Sequence, residues 1–334
     1  MTYDLYAIGN ALVDSEYEVS EAQLEAMQVE KRRMTLIDTA RRTELLGHLQ
    51  NLTPHRSGGG SAGNTVVALS QLGGKAFYSC RVAEDELGAF YAKDLAANGV
   101  DTNLTKAQGV SGVTGSCLVL ITPDAERSMS TFLGATAELD TTSLDEQAIA
   151  QSKIYYMEGY LAASPTGLQA ALQGRRIAEQ HGVALATTLS DVSMIQFCRD
   201  GLVAIIGQHL DYLFCNEEEA QAWCGTHDLE AVYGQIAQLA RTVCLTRGPL
   251  GCVILEHGTR TEVPTAAVTA LDTNGAGDMF AGAFLYAVTQ GRSHAEAALL
   301  ANQAAGAIVA QYGNRLVQDK MNAVKAGFEK TLAG

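Results

Sequence analysis

The stretch LDTNGAGDMFAG, residues 271–282, decides how this chain is interpreted. It opens an apolar run with almost no charge, which predicts a helix over Ala276–Thr289. Residues with almost no side chain stand where that helix begins: Gly275, Ala276 and Gly277. Open N–H groups at a helix N-terminus combine with the helix dipole to form an anion site. Asp278 falls in the first helical turn, where the dipole stabilises a carboxylate.

An anion site beside a carboxylate base is the smallest set of groups that can catalyse the transfer of a phosphoryl group to an alcohol. The N–H groups would stabilise the charge that spreads over the γ-phosphoryl oxygens, and Asp278 would accept the hydroxyl proton. The simpler interpretation is that Asp272 or Asp278 only caps a helix, as aspartate often does. Capping alone does not readily explain two aspartates around TNGAG, and we therefore expect a phosphotransferase.

A second glycine-rich stretch, SGGGSAGN at residues 57–64, precedes another helical pattern. Its glycines fit G-x-G-x-x-G, and Glu84 follows roughly 20 residues later, as in a dinucleotide-binding fingerprint. That fingerprint requires a strand before its first glycine, whereas residues 51–56 are polar and contain proline. We therefore expect the glycines to bring backbone close to a different ligand, with Asn64 placed to bind a hydroxyl. A tight turn without a ligand is the alternative.

Composition and charge narrow the function classes. Of the 334 residues, 47% are hydrophobic and 18% charged, as expected for a globular protein. The formal net charge of -14 argues against nucleic acid, because a phosphate backbone requires a surface of lysine and arginine. The 7 cysteines contain no C-x-x-C pair and the 7 histidines no H-x-x-x-H pattern, so neither disulfides nor zinc are expected. We expect no signal peptide, no membrane span and a cytoplasmic location.

Strand-like and helical segments alternate along the chain, most regularly after residue 150. This order predicts an α/β fold with a mainly parallel central sheet and helices on both faces. No low-complexity linker divides the chain, so we expect one domain over residues 1–334. The strands are predicted at Leu5–Ile8, Ala76–Val82, Cys117–Ile121, Ile154–Met157, Val183–Ala186, Tyr212–Cys215, Val243–Thr246 and Cys252–Leu255. The helices are predicted at Ala62–Leu72, Leu87–Asn98, Leu168–His181, Glu217–Cys224, Val232–Leu239, Ala276–Thr289 and Ala295–Gln311.

Two segments, residues 13–37 and 110–133, differ from this pattern. They contain short strand candidates with little helix between the later pair: Arg33–Ile37, Cys117–Ile121 and Met129–Leu133. We interpret them as a small β layer attached to the main sheet. Such a layer would suit a lid that excludes water from a reactive site.

DTNGAGD followed by MFAGAFL resembles the signature of the ribokinase (PfkB) family of sugar and nucleoside kinases. SGGGSAGNTVVALSQLGG, residues 57–74, resembles the N-terminal signature of the same family, in which glycine N–H groups and an asparagine bind substrate hydroxyls. The resemblance extends over nearly the whole chain and implies a ribokinase-like fold, with ATP as phosphoryl donor and Mg²⁺ as cofactor. It also argues against a nicotinamide or flavin oxidoreductase.

The resemblance implies where ATP and its metal bind. NEEE at residues 216–219 fits the family's N-x-x-E element, which implies that Asn216 and Glu219 organise Mg²⁺ through water. Without the resemblance, this run of glutamates would indicate a solvated helix N-terminus. Arg127 resembles the family's phosphate-facing arginine, although a lone arginine at a turn is more often solvated. Asp272 lies at a position that resembles a monovalent cation site, and K⁺ is therefore a further candidate cofactor. Other residues implied at the ATP phosphates are Thr246, Gly248, Gly251 and Asn274.

Within the family, GNALVD at residues 9–14 resembles the adenosine kinase branch, in which the aspartate holds the ribose hydroxyls. A carboxylate can accept from two vicinal hydroxyls at once. Tyr160 or Leu161 would lie where that branch places an aromatic side chain against the base, with simple core packing as the alternative for Tyr160. The implied substrate-binding set is Asn10, Leu12, Asp14, Gly59, Gly60, Asn64, Tyr160 and Leu161.

The expected reaction is thus phosphorylation of the 5′ hydroxyl of a nucleoside, with adenosine to AMP as the first choice. The lid stretch STFLGA, residues 130–135, resembles adenosine kinases only loosely, which leaves a sugar kinase for ribose, fructose or 2-keto-3-deoxygluconate as the alternative. A ligand sensor without catalysis is a second alternative. The sequence leaves open whether the chain acts as a monomer or a homodimer.

Overall fold

The computed structural model describes residues 2–105, 110–124 and 126–333. In chain order the strands are β1 Tyr3–Ile8, β2 Leu12–Glu18, β3 Met34–Leu36, β4 His55–Gly59, β5 Ala76–Ser79, β6 Asp101–Thr102, β7 Ser116–Ile121, β8 Arg127–Phe132, β9 Ser152–Met157, β10 Ala184–Thr188, β11 Tyr212–Asn216, β12 Thr242–Thr246, β13 Cys252–Glu256 and β14 Thr259–Val263. The α-helices are α1 Glu21–Ala26, α2 Thr39–Leu49, α3 Ser61–Gln71, α4 Glu86–Ala97, α5 Glu146–Ala150, α6 Pro165–Gln180, α7 Val192–Phe197, α8 Arg199–Ile206, α9 Glu217–Cys224, α10 Leu229–Ile236, α11 Ala276–Thr289, α12 His294–Val309 and α13 Gln318–Ala333. Among these residues, no helix combines the length and apolarity that a membrane span requires.

The larger sheet has nine strands in the order β14-β13-β12-β11-β10-β9-β1-β5-β6. The strands from β12 to β6 are parallel, and β13 and β14 add an antiparallel edge. Strands buried on both faces read as continuous apolar runs, which is why these segments stand out in the sequence. One apolar core includes side chains of α3, α11 and α12, and a second includes those of α6, α8 and α10. The predicted α/β fold class is confirmed.

The chain builds this sheet in two directions from β1. β5 and β6 extend it on one side, and β9 to β12 extend it on the other. The order therefore reverses between β1 and β9, and in open α/β sheets ligands bind outside the carboxyl ends of the strands at such a point. Gly9 and Asn10 follow β1, and Glu158 follows β9.

The smaller sheet has five strands in the order β3-β8-β7-β2-β4. Its strands come largely from the predicted segments 13–37 and 110–133, of which residue 125 lies outside the described residues. Helices α1 and α2 cover one face of this sheet. The apolar side chains buried there are Tyr17, Val19, Leu24, Met27, Leu45, Leu49, Leu118 and Leu120.

One expectation about the glycine-rich stretch is wrong. We expected no strand before it, yet His55–Gly59 forms β4, which pairs antiparallel with β2. Glycine and polar residues have low strand propensity, so this edge strand gives almost no sequence signal. The strand belongs to the smaller sheet rather than to the parallel sheet, and a dinucleotide-binding βαβ unit is therefore still absent at this position.

Candidate active site

The predicted anion site lies at the start of α11, which spans Ala276–Thr289 as expected. Gly275 precedes the helix with φ +76°, a left-handed conformation that favours glycine. A Cβ on Gly275 would lie 2.9 Å from the carbonyl oxygen of Asn314, so a side chain has no room there. Gly277 is exposed with open space beside it, whereas the Ala276 N–H already donates to the Thr273 carbonyl oxygen at 3.2 Å.

Asp278 faces the N-terminus of helix α3. Its Oδ1 accepts a hydrogen bond from Ser61 Oγ at 2.6 Å, and its Oδ2 accepts one from Asn64 Nδ2 at 2.9 Å. Burial raises the pKa of the Asp278 carboxyl, while these two bonds and the charge of Arg315 oppose the rise. A carboxylate with a raised pKa next to the predicted anion site would be a stronger base than an ordinary carboxylate.

The turn into α3 depends on Gly60. This residue has φ +85°, and a Cβ there would overlap the carbonyl oxygen of Asn10. Because the turn is this tight, the first residues of α3 reach the end of β1. Ser61 and Asn64 are thereby placed on the side of the helix that meets Asp278.

Glu158 lies at the point where the order of the larger sheet reverses. It is only 1% exposed, and its carboxylate accepts hydrogen bonds from Asn10 Nδ2 at 2.7 Å and from the Ala62 backbone N–H at 2.9 Å. Burial raises the pKa of Glu158 to about 7, and the charge of Asp278 adds to the rise. Sequence reasoning missed this residue, because a single glutamate after a strand carries no motif.

Asp14 reaches the same crevice from the smaller sheet. Its Oδ2 accepts a hydrogen bond from Asn314 Nδ2 at 2.7 Å, and its carboxylate covers Gly59, where a Cβ would lie 2.7 Å from Oδ1. Burial raises the pKa of Asp14 to about 7, against the opposing charge of Arg315. The predicted neighbour Leu12 pairs with Gly59 across β2 and β4.

Three predicted substrate residues differ in how much of them a ligand could contact. Asn10 is buried, and its amide is already engaged by Glu158 and by Thr136, whose Oγ1 donates to Asn10 Oδ1 at 3.3 Å. Leu161 is fully buried in the second core. Tyr160 is partly exposed, with its hydroxyl 3.5 Å from the Ser190 carbonyl oxygen. Of Tyr160 and Leu161, Tyr160 is the one whose side chain a nucleobase could reach.

Arg127 connects the smaller sheet to the segment before α11. Its Nη1 lies 3.1 Å from Glu16 Oε1 on β2 and 2.9 Å from Asp272 Oδ2, just before α11. The guanidinium also lies over the ring of Tyr312, 5.2 Å from its centroid. Its Nε and Nη2 are buried without a hydrogen-bond partner. Arg127 thus retains unused donors, although its charge is balanced by two carboxylates.

The contacts of Asp272 are mostly structural. Its Oδ1 accepts from the backbone N–H of Asn274 at 3.0 Å, and its Oδ2 accepts from that of Gly313 at 3.0 Å. Together with Arg127, these bonds fix the chain that leads into the anion site. The predicted phosphate residue Asn274 therefore lies in a turn held by its backbone.

The predicted metal and nucleotide residues lie together at the carboxyl ends of β11 and β12, where Asn216 pairs with Thr246. Asn216 and Glu219 cap helix α9 reciprocally, with Asn216 Nδ2 donating to Glu219 Oε1 at 2.7 Å. Burial raises the pKa of Glu219 to about 7. The loop after β12 turns through Gly248 at φ +54° and Gly251 at φ +87°.

The described residues contain no cluster of three or more His, Cys, Asp or Glu that could hold a metal. A single carboxylate with a neighbouring amide suits a magnesium ion that keeps several waters and binds mainly to phosphates. The pair Asn216 and Glu219 fits that kind of site better than a cage made only of protein ligands.

Comparisons with known proteins show the family to which the chain belongs. The profile of the pfkB family of carbohydrate kinases matches residues 33–321. The structure of a probable sugar kinase from Rhizobium etli CFN 42 is 36% identical with a TM-score of 0.87, over 98% of this chain and 99% of that chain. The structure of adenosine kinase from Sinorhizobium meliloti is 33% identical with a TM-score of 0.84, over 98% and 100%. Adenosine kinase from Schizophyllum commune is 28% identical over 319 residues, 87% of this chain and 90% of its own length. The chain therefore belongs to the pfkB family of carbohydrate kinases.

Proposed function

We propose that this kinase transfers the γ-phosphoryl group of ATP to the 5′ hydroxyl of a nucleoside, with adenosine as the first candidate and AMP as the product. The observation that carries the proposal is that Asp14 lies against the glycine turn at Gly59 and Gly60 and is close enough to Asp278 for the charge of Asp278 to raise its pKa. A polyol held by Asp14 and the backbone of the glycine turn would present a further hydroxyl to Asp278. The backbone N–H groups of Gly275 and Gly277, joined by that of Ala276 once it leaves the Thr273 carbonyl oxygen, would stabilise the transferring group.

The donor side is supported by the residues at the ends of β11 and β12. ATP and Mg²⁺, when bound, supply the phosphoryl group and neutralise its negative charge. We assign Asn216 and Glu219 to the water shell of the metal, and Thr246, Gly248 and Gly251 to the nucleotide phosphates and ribose. Arg127 has two unpartnered nitrogen donors for a phosphate oxygen once its carboxylate partners shift.

The smaller sheet is proposed to act as a lid within a single domain over residues 1–334. It contributes Asp14 to the crevice and touches the region before α11 through Arg127 and Asp272. Closing such a layer over the substrate would exclude water, which otherwise competes with the acceptor hydroxyl.

Potassium has no assigned role. Both oxygens of Asp272 accept backbone hydrogen bonds, and Arg127 already balances the charge. These contacts do not fit a second cation without a rearrangement, and no step depends on one.

Two features bear on the choice between a nucleoside and a free sugar. Asp14 and the partly exposed Tyr160 favour a nucleoside, because a carboxylate suits vicinal ribose hydroxyls and an aromatic face suits a base. The relative from Rhizobium etli, described as a probable sugar kinase, supports the alternative of ribose, fructose or 2-keto-3-deoxygluconate as acceptor. The acidic chain is expected to work in the cytoplasm on small molecules rather than on nucleic acid, as a monomer or a homodimer.

A panel assay tests the proposal. The purified chain, with ATP and Mg²⁺, is offered adenosine, guanosine, ribose, fructose and 2-keto-3-deoxygluconate, and ADP release is measured. We expect the highest kcat/KM with adenosine. For Asp14→Ala we expect kcat/KM to fall by about 10²-fold, because the ribose hydroxyls would be buried without their carboxylate acceptor. Glu18→Ala is the matched control, since Glu18 is exposed on the same strand. A preference for a sugar would replace the nucleoside assignment, and no turnover at all would favour a ligand sensor.

A further inference from the structure

Arg315 lies between α12 and α13, outside every motif of the sequence, yet it reaches the candidate base through one residue. Its Nε donates to Asn64 Oδ1 at 3.0 Å, and Asn64 Nδ2 donates to Asp278 Oδ2 at 2.9 Å. On its other side, Nη1 pairs with Asp94 of α4. The side chain is only 9% exposed, and Nη2 is buried without a partner.

The chemistry of arginine fixes the orientation of the Asn64 amide. A guanidinium has donors only, so it must meet the carbonyl end of the amide. The NH₂ end of Asn64 then points to Asp278, which needs a donor as long as it is ionised. A side chain that could also accept would leave the amide free to turn over and present its oxygen to the carboxylate.

The glycine-rich stretch makes room for this arginine. A Cβ on Gly58 would overlap the guanidinium of Arg315 and the carboxylate of Asp94. One on Gly63 would lie 2.5 Å from the Tyr91 hydroxyl and in ordinary contact, at 3.4 Å, with Arg315 Nη2. Two of the three glycines in the G-x-G-x-x-G pattern therefore border the arginine. Gly60 alone serves the tight turn into α3.

The charge of Arg315 is placed among acids. It lowers the pKa of both Asp278 and Asp14, in opposition to the larger effect of burial. The other charged or titratable groups that couple to these two carboxylates are Glu16 on β2, Cys117 on β7, Arg127 on β8, Tyr156 on β9, Glu158 and Tyr160 after β9, and Glu219 on α9. Three of these groups are carboxyls, while burial raises the pKa of the Cys117 thiol and of the Tyr156 and Tyr160 hydroxyls, so these stay neutral. A buried cation beside several carboxyls has a strong effect on their ionisation.

We propose that Arg315 is a positioning residue for phosphoryl transfer, which directs the Asn64 amide towards Asp278 and places a buried positive charge behind that base. The inference rests on the proposed function of Asp278 and adds a residue that no sequence motif contains. Loss of the guanidinium charge would leave Asp278 protonated, and therefore unable to accept a proton, over a wider range of pH.

The test compares two variants of Arg315 with wild type. We measure kcat/KM against pH with the best acceptor of the panel, because its acidic limb reports the ionisation of the base in the free enzyme. Arg315→Gln removes the charge but keeps hydrogen-bonding capacity. We expect the midpoint of its acidic limb to move to a pH about one unit above that of wild type, with activity recovering at alkaline pH. For Arg315→Lys, which keeps the charge, we expect a limb near that of wild type and a lower kcat. An unmoved limb in Arg315→Gln, or an equal shift in Arg315→Lys, overturns the proposal.

Asp94→Asn is the matched control for loss of packing around the arginine. It removes the partner of Arg315 but leaves the cation, so its acidic limb should not move upward. A second readout does not depend on turnover: carboxyl ¹³C NMR titration of Asp278, assigned by the signal lost in Asp278→Asn. The midpoint should be higher in Arg315→Gln than in wild type. If no acceptor is phosphorylated, the proposed function fails, while an unchanged midpoint would overturn the role of Arg315 separately.

Discussion

Asp278 is the single residue on which the proposed chemistry depends most directly. Asp278→Asn keeps the shape of the side chain and an oxygen for Ser61 or Asn64, but it removes the group that accepts the proton. We expect kcat to fall by about 10²-fold or more with little change in the affinity for the acceptor, as for loss of a general base. Steady-state kinetics and acceptor titration measure the two effects. Ser61→Ala, which removes one hydrogen bond and leaves the base, should have a clearly smaller effect on kcat, and near-normal turnover of Asp278→Asn would exclude the residue from the role.

The residues that sequence reasoning found and those that it missed differ in a physical way. Asp278 and Asn64 each stand beside glycines at a helix start, so their local sequence indicates what their backbone offers. Glu158 and Arg315 become part of the site only because the sheet order and the chain after α12 bring them there. No local pattern marks them, and their partners are 96 and 251 residues away in sequence.

At the scale of elements, the apolar helices and buried strands were the most predictable. Helix α11 has the predicted bounds because a long apolar run follows a glycine-rich start. Strand β4 was missed because its sequence, HRSGG, has low strand propensity and gains its place by pairing with β2. Six helices were missed: α1, α2, α5, α7, α8 and α13. Helices α2 and α13 are polar on average, and the other four are only five to eight residues long, too short for a clear periodic pattern.

The contact between the smaller sheet and the region before α11 leads to a prediction about Arg127. Arg127→Ala removes the ion pairs to Glu16 and Asp272 and the donors proposed for phosphate. We expect kcat to fall by about 10²-fold, by analogy with loss of one charge-stabilising donor. We also expect faster amide hydrogen exchange in β8 of the free enzyme, because the strand loses its link to the segment before α11.

The matched control for this prediction is Arg56→Ala. Arg56 lies on β4 of the same sheet and pairs at 2.6 Å with Glu86, which is 81% exposed. Exposed pairs of this kind contribute about 0 to 1 kcal/mol, so neither kcat nor the exchange in β8 should change much. Equal behaviour of the two variants would show that Arg127 has no special role between the smaller sheet and the segment before α11.

At the scale of the whole molecule, the order of strands and helices predicted the fold class, but the route of the chain through the sheet could not be read from it. The alternation after residue 150 indicated parallel strands, yet nothing in the pattern places β9 next to β1. That adjacency brings Asn10 and Glu158 together at the crevice. The position of the site in the fold thus depends on a long-range pairing, whereas its chemistry is visible in short motifs.

The same crevice makes the stability of the whole protein depend on pH. Asp14, Glu158 and Glu219 have pKa values of about 7 in the folded state, above those of free carboxyls. A raised pKa means that the folded state binds protons more tightly than the unfolded chain does. The contribution is favourable below about pH 4.5, the ordinary glutamate range, and is lost as the pH rises through about 7. For Glu158 the loss is on the order of 3 kcal/mol, from a difference of roughly 2.5 pH units.

Glu158→Gln tests this pH dependence of stability, since glutamine keeps an acceptor for Asn10 or Ala62 but cannot ionise. In the absence of substrates, we expect the free energy of unfolding of wild type to decline between about pH 5 and 7, and the variant to decline less over the same range. Chemical denaturation at each pH measures both slopes. Glu86→Gln is the control, because Glu86 is exposed and its removal should leave the slope as in wild type. Parallel slopes for wild type and Glu158→Gln would mean that Glu158 ionises in the folded protein as easily as in the unfolded chain, and that the crevice does not hold its proton.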